Sequence, residues 1–113
     1  MNTLAIVETQ QIKGSKANLR LRIPTDLEYL RGHFTGQPVL PGVVQLKWAL
    51  HYAEQSFGCK FHFAGAEVIK FQHPLLPNTR VNLDLDWDQQ RKKLRFSYYD
   101  TQQNYASARI KLR

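Results

Sequence analysis

The chain has 113 residues, enough for one packed core closed without disulfides or metal, so a single domain over residues 1–113 is expected. Its 16 Lys and Arg stand against 9 Asp and Glu, a formal charge of +7, which favours an acidic partner. No window reaches the roughly 20 apolar residues of a membrane span, and the first dozen residues lack a basic-then-apolar signal pattern. A lone cysteine, Cys59, excludes an internal disulfide and reads as a packed thiol, so a soluble cytoplasmic protein is expected.

Residues Leu4 to Ile12 read as a first strand. After the Gly14-Ser15 turn, Ala17 to Ile23 form a second, in which Leu19, Leu21 and Ile23 alternate with Arg20 and Arg22, the period of a half-buried strand. Pro24, Thr25 and Asp26 supply turn and helix-start chemistry ahead of a short helix around Leu27, Tyr29 and Leu30.

Gly42 to Phe57 is the one long helix. Val43, Leu46, Leu50, Ala53 and Phe57 line one of its faces, while Trp48 and Tyr52 are apolar on another, so the helix is expected to be buried on more than one side. Gly58 is a natural stop. Strand patterns follow over Phe61 to Phe71, Val81 to Trp87, Leu94 to Tyr99 and Tyr105 to Leu112. Pro74 and Pro77 break the first pair. Asp88-Gln89-Gln90 and Asp100-Thr101-Gln102-Gln103 read as hairpin turns, neither with the glycine such turns favour. One long helix with about six antiparallel strands makes an α+β domain, the helix held against or wrapped by the sheet.

The chemistry concentrates just before that helix, in His33-Phe34-Thr35-Gly36-Gln37-Pro38-Val39-Leu40-Pro41-Gly42. A lone histidine beside aromatic and glycine residues is as often a satisfied turn or core residue as a base. Here Pro38 and Pro41 stiffen the loop, and Gly42 lets a ligand approach the backbone. The amides of Gly42 and Val43, at the positive end of the helix, lack intrahelical partners. They are placed to polarise a thioester carbonyl and to hold the enolate-like charge that forms when an α-proton is removed.

The stretch from His33 to Gly42 resembles the signature of the β-hydroxyacyl-acyl-carrier-protein dehydratases, and Lys70-Phe71-Gln72-His73-Pro74-Leu75-Leu76-Pro77-Asn78 resembles a later segment of the same family. The run Pro41-Gly42-Val43-Val44-Gln45-Leu46 followed by Trp48-Ala49-Leu50 resembles one branch, the small dehydratase-like proteins of aryl-polyene biosynthesis clusters. The resemblance covers nearly the whole chain and implies a hotdog fold, a long helix wrapped by an antiparallel sheet. It implies a hydro-lyase in which His33 removes the α-proton of a 3-hydroxyacyl thioester to give the trans-2-enoyl form. Gly42 and Val43 would hold the thioester oxygen, and Phe34, Pro41 and Gln45 are further candidate substrate contacts. The implied partner is acyl carrier protein with its phosphopantetheine-linked acyl chain. The implied assembly is a homodimer or a multiple of it, or a hetero-oligomer with another hotdog subunit. No cofactor, metal or nucleic acid is called for.

The sequence departs from the family at one decisive place. The family's acid belongs fourteen positions after the histidine, where this chain has Lys47, which only donates hydrogen bonds. Lys47 admits three roles: a protonated donor to the leaving hydroxyl, a structural stem with its head toward solvent or Glu54, or the mark of a site that binds or hydrolyses acyl thioesters without dehydrating them. Glu54 sits roughly 10 Å further along the helix, while Asp26, Glu28 and Glu67 are acids that could approach from outside it, which their positions in the sequence do not decide. Gln45 is either a substrate contact or a surface or interface glutamine. His51 shares a helix face with Lys47, and the four histidines have no metal-ligand spacing. Tyr98, Tyr99 and Tyr105 beside Arg95 and Arg109 are either cross-strand pairs or a base-stacking surface, the alternative in which the chain is a nucleic-acid-binding module.

Overall fold

The computed structural model describes residues 3–27 and 39–113. Strands β1 (Ile6–Lys13) and β2 (Lys16–Arg22) come first, then helix α1 (Gly42–Phe57), then β3 (Phe63–Phe71), β4 (Arg80–Asp88), β5 (Lys93–Tyr99) and β6 (Asn104–Leu112). The six strands form one antiparallel sheet in the order β1-β2-β4-β5-β6-β3. The helix crosses its inner face, and the arrangement is the hotdog fold.

Alternation builds the inner face. Ala17, Leu19 and Leu21 on β2 turn inward with Val81, Leu83 and Leu85 on β4, and Leu94, Phe96 and Tyr98 continue the layer on β5. Between them the outward positions carry the charges, so the sheet is apolar on one side and ionic on the other. The expected strands are each present, with ends displaced by one or two residues.

The turns lacking glycine close by other means. In the β5–β6 turn the Asp100 carboxylate accepts from the amides of Gln102 (2.8 Å) and Gln103 (3.0 Å) and from the Tyr105 hydroxyl. An Asx-type turn replaces the glycine, and the Tyr105 hydroxyl, foremost, holds the Asp100 carboxyl below the usual carboxylate range. In the β4–β5 turn Lys92 itself takes a left-handed conformation, φ 54°, and Asp88 Oδ1 accepts from the Arg91 amide.

The helix is rotated from the face that its Leu and Val spacing suggested. Val43 is 62% exposed, Leu46, Leu50 and Phe57 are half-buried, and the buried side is Val44, Gln45, Trp48, Ala49, Tyr52 and Ala53. The physical reason lies in the two large aromatics. Their rings contribute the most apolar area, and their polar tips find acceptors at the sheet edge: Trp48 Nε1 donates to the Thr3 carbonyl (2.9 Å) and the Tyr52 hydroxyl to the Ala5 carbonyl (3.4 Å). The helix ends at Gly58, φ 69°, whose amide donates to the Glu54 carbonyl.

Two further expectations change. Cys59 is exposed rather than packed, because the chain leaves the core at Gly58 and returns only at Phe61, whose ring meets Trp87 with centroids 4.6 Å apart. Tyr98 and Tyr105 are buried, so the tyrosines do not make a stacking surface. No helix among the described residues is long and apolar enough to cross a membrane.

Burial raises the Tyr52 hydroxyl from 10.0 to about 12, partly opposed by its bond to Ala5. Unfolded tyrosine loses its proton first, so the stability that Tyr52 contributes is whole below pH 10 and is lost as pH rises toward about 12. Urea midpoints measured on either side of pH 10 should fall with rising pH, and Tyr52→Phe should flatten that fall.

Candidate active site

The approach to the helix is fixed before the helix begins. Leu40 is buried; its amide donates to the Leu75 carbonyl at 2.8 Å, and its carbonyl accepts from Gln45 Nε2 at 3.1 Å. Pro41 is extended (φ −61°, ψ 146°), and its carbonyl accepts from the amides of Val44 (3.0 Å) and Gln45 (3.1 Å). The Gln45 carbonyl in turn accepts from the buried Tyr98 hydroxyl at 2.6 Å. Three different segments, the β3–β4 connection, β5 and the first helical turn itself, therefore hold one turn of backbone in place.

That arrangement leaves the amides of Gly42 and Val43 outside the helical ladder, which starts at Val44. Pro41 offers no side-chain cap, and the first turn has no acidic residue. The positive end of the helix is thus uncompensated within the described residues, as a site for a partially negative oxygen requires. Gly42 is also sterically specified. A β-carbon there would lie 2.6 Å from the ring of Phe71, so Phe71, itself 54% exposed, lies directly against the start of the helix. The resemblance flagged both positions, but nothing in their spacing announced that they touch.

The other expected site residues divide sharply. His33 and Phe34 lie outside the described residues, as does Glu28 and most of the expected short helix. Lys47 is exposed on the helix face away from the core and forms no ion pair or hydrogen bond among the described residues. The Glu54 carboxylate is occupied: its Oε2 accepts from the Phe61 amide at 2.7 Å. Glu67 does not approach the helix, since Lys93 Nζ (2.7 Å) and Arg109 Nε (2.9 Å) hold it on the sheet. His73 Nδ1 donates to the Asn104 carbonyl at 2.9 Å, and the His51 ring meets the edge of Tyr52.

Gln45 is neither a surface nor an interface glutamine. It is 3% exposed, its Nε2 is spent on Leu40, and its Oε1 is buried without a hydrogen-bond partner among the described residues. Its role in these contacts is positional, and the signal in the sequence was its i,i+4 spacing with Ala49 and Ala53, on the flank of the Trp48–Tyr52 face. Three hollows among the described residues lie along the outer side of the sheet.

A family model for ApeI-like proteins, described as ApeI dehydratase, matches residues 9–109. A 3-hydroxyacyl-[acyl-carrier-protein] dehydratase FabZ of Mannheimia succiniciproducens is 36% identical over 69 residues, 54% of this chain and 46% of the relative. The chain spans about half the length of the curated relatives it matches. Among solved structures, an uncharacterized protein from Erwinia carotovora subsp. atroseptica superposes with a TM-score of 0.87 at 37% identity, over 97% of this chain and 96% of that one. The dehydratase heterocomplex ApeI:P from Xenorhabdus doucetiae superposes with a TM-score of 0.88 at 35% identity, over 96% of each chain.

The contact at the helix start yields a direct test. Because the half-exposed Phe71 ring can swing aside, Gly42→Ala should destabilise the chain by no more than about 1 kcal/mol, and adding Phe71→Ala should remove that cost. Denaturant unfolding of the two single variants and the double variant measures the coupling.

Proposed function

Since the chain belongs to the ApeI-like family of dehydratases, we propose that it acts on 3-hydroxyacyl thioesters carried by acyl carrier protein, eliminating water to give the trans-2-enoyl thioester in a fatty-acid or aryl-polyene type of biosynthesis. The observation that carries this reading is the start of α1: two amides outside the ladder, with neither a cap nor an acid to neutralise them, immediately after the Pro41-Gly42 signature. Residues 1–113 act as one domain of a cytoplasmic protein.

His33 takes the α-proton, and the electron pair moves toward the thioester oxygen, where the Gly42 and Val43 amides stabilise it. The carbon–oxygen bond at C3 then breaks, and the hydroxyl leaves as water with a proton from a general acid. Exposed, and without an ion pair or hydrogen bond among the described residues to aim it, Lys47 is poorly suited to deliver a proton to the C3 hydroxyl. The acid instead comes from a second hotdog subunit facing the helix. Two features support such pairing. Strand β3 ends the sheet with no partner strand on its outer edge among the described residues, and Ile69, Phe71 and Val43 leave apolar side chains exposed beside it. The similar Xenorhabdus structure is a heterocomplex.

Lys47 also favours a second reading, in which the isolated chain binds acyl thioesters as a non-catalytic subunit or hydrolyses them. Incubation with a trans-2-enoyl carrier-protein thioester and water separates the three. Reversible hydration that falls by about 100-fold or more in His33→Ala is expected for a dehydratase. Release of free thiol identifies a thioesterase, and saturable binding without turnover a non-catalytic subunit. Under the proposed mechanism Lys47→Ala should keep turnover within about threefold, whereas a collapse would make Lys47 the acid.

The edge proposal has its own test. Ile69→Lys places a charge on the free edge of β3 and should shift the sedimentation of the chain toward the monomer, with secondary structure unchanged by circular dichroism.

A further inference from the structure

The outer face of the sheet carries an arrangement that stability alone does not favour. In the β5–β6 register Arg95 lies directly opposite Arg109 and Lys93 directly opposite Lys111, and like charges in such positions destabilise a sheet. On β4, Asp86 and Asp88 lie opposite Arg95 and Lys93, but among the described residues only Glu67 forms ion pairs with this group. Glu67, at a register shift of β3, takes Lys93 on one oxygen and Arg109 on the other. Arg95 is exposed and has no ion pair or hydrogen bond among the described residues. Its neighbour on β4, Asp86, has Lys16 as its ion-pair partner at 3.9 Å.

The next outward pair along the same two strands is Ser97 opposite Ser107, and Lys70 stands opposite Ser107 on β3. Register alone therefore assembles two guanidinium groups, two hydroxyls and an ammonium in one block. The structure gives that block a concavity: Arg95, Arg109, Ser97, Ser107 and Lys70 line a hollow of about 420 Å³. The guanidinium fork matches the geometry of phosphate oxygens, and serine hydroxyls donate to oxygens left over. Two carboxylates bound the hollow on its β4 side. Asp84 already accepts from Asn18 (2.6 Å) and Tyr99 (3.0 Å), and Asp86 faces Lys16. They would repel an extended polyanion lying across the sheet, and they leave room for a compact one at the β5–β6 side.

We propose that the outer face of β5 and β6 is a binding site for a phosphate-type oxyanion, with Arg95 as its principal ligand and Arg109, Ser97, Ser107 and Lys70 completing it. The site is separate from the helix start on the inner side of the sheet and does not depend on the dehydratase reading. Its ligand is either free phosphate or the phosphoryl group of a larger molecule.

Amide spectra of the full chain, titrated with inorganic phosphate at constant ionic strength, test it. Saturable shifts confined to the backbone around residues 95, 97, 107 and 109 are expected, weakened at least tenfold in Arg95→Gln and unchanged in Arg20→Gln, which removes an exposed cation from the outer face of β2. Without phosphate, Arg95→Gln should melt at the same temperature as the natural chain or higher, because the like-charge opposition is gone; this shows the variant to be folded. Non-saturating shifts scattered over the basic surface, or equal effects of the two substitutions, would overturn the proposal. Repeating the titration with adenosine monophosphate and with 4′-phosphopantetheine separates the sources. Tighter binding of either points to a tethered phosphoryl group, and no increase over inorganic phosphate points to the free anion.

Discussion

Everything in this fold follows from burying one helix against one sheet. Among the described residues helix α1 has no second helix to share its apolar side, and Trp48, Tyr52 and their neighbours are covered by the inner face of β2, β4, β5 and β6 and by the segment leading into β1. An antiparallel sheet apolar on one side only is suited to that task. The two aromatics decide the rotation of the helix, because each combines a large ring with a polar tip that must find a partner when buried. Once the rotation is set, Val43 and Lys47 are turned away from the core.

The same constraint orients the chemistry. The start of α1 is pinned by Leu75 through Leu40, by Tyr98 through the Gln45 carbonyl, and by Gln45 through its own side chain. Donors fixed in this way cost little reorganisation when charge develops on a substrate oxygen. The described residues thus hold the Gly42 and Val43 amides in a fixed corner outside the helical ladder, the geometry that the proposed oxyanion role uses. Lys47 stands on the exposed side of the helix, and the proposed pairing with a second subunit rests on the β3 edge, which has no partner strand among the described residues, and on the exposed Ile69 and Phe71.

The two sides of the sheet carry separate business. Alternation sends every second residue of β5 and β6 inward to the core and the rest outward, so the chain's excess of basic residues appears on the outer face in rows set by strand register. Arg95 opposite Arg109 and Ser97 opposite Ser107 are a consequence of pairing across a turn that Asp100 closes. The expected turn at residues 100–103 already brought Arg95 and Arg109 onto neighbouring strands, and the register is what sets them directly opposite one another.

Local pattern carried much of this. The length of α1, its stop at Gly58, the six strands and the Pro41-Gly42 start are written in periodicities of two and 3.6 and in the few residues that tolerate special backbone angles. The likeness of residues 33–42 and 70–78 to a dehydratase signature, and the missing acid at Lys47, were legible as well. What sequence could not decide was anything that depends on residues distant in the chain meeting in space. The rotation of the helix, the burial of Gln45, the exposure of Cys59, the ring of Phe71 against Gly42 and the facing arginines of β5 and β6 all arise from packing and register. Those are fixed only when the sheet closes around the helix, since a helix with apolar residues on most of its circumference has several faces that local pattern ranks alike, and the shape of the surrounding sheet selects one.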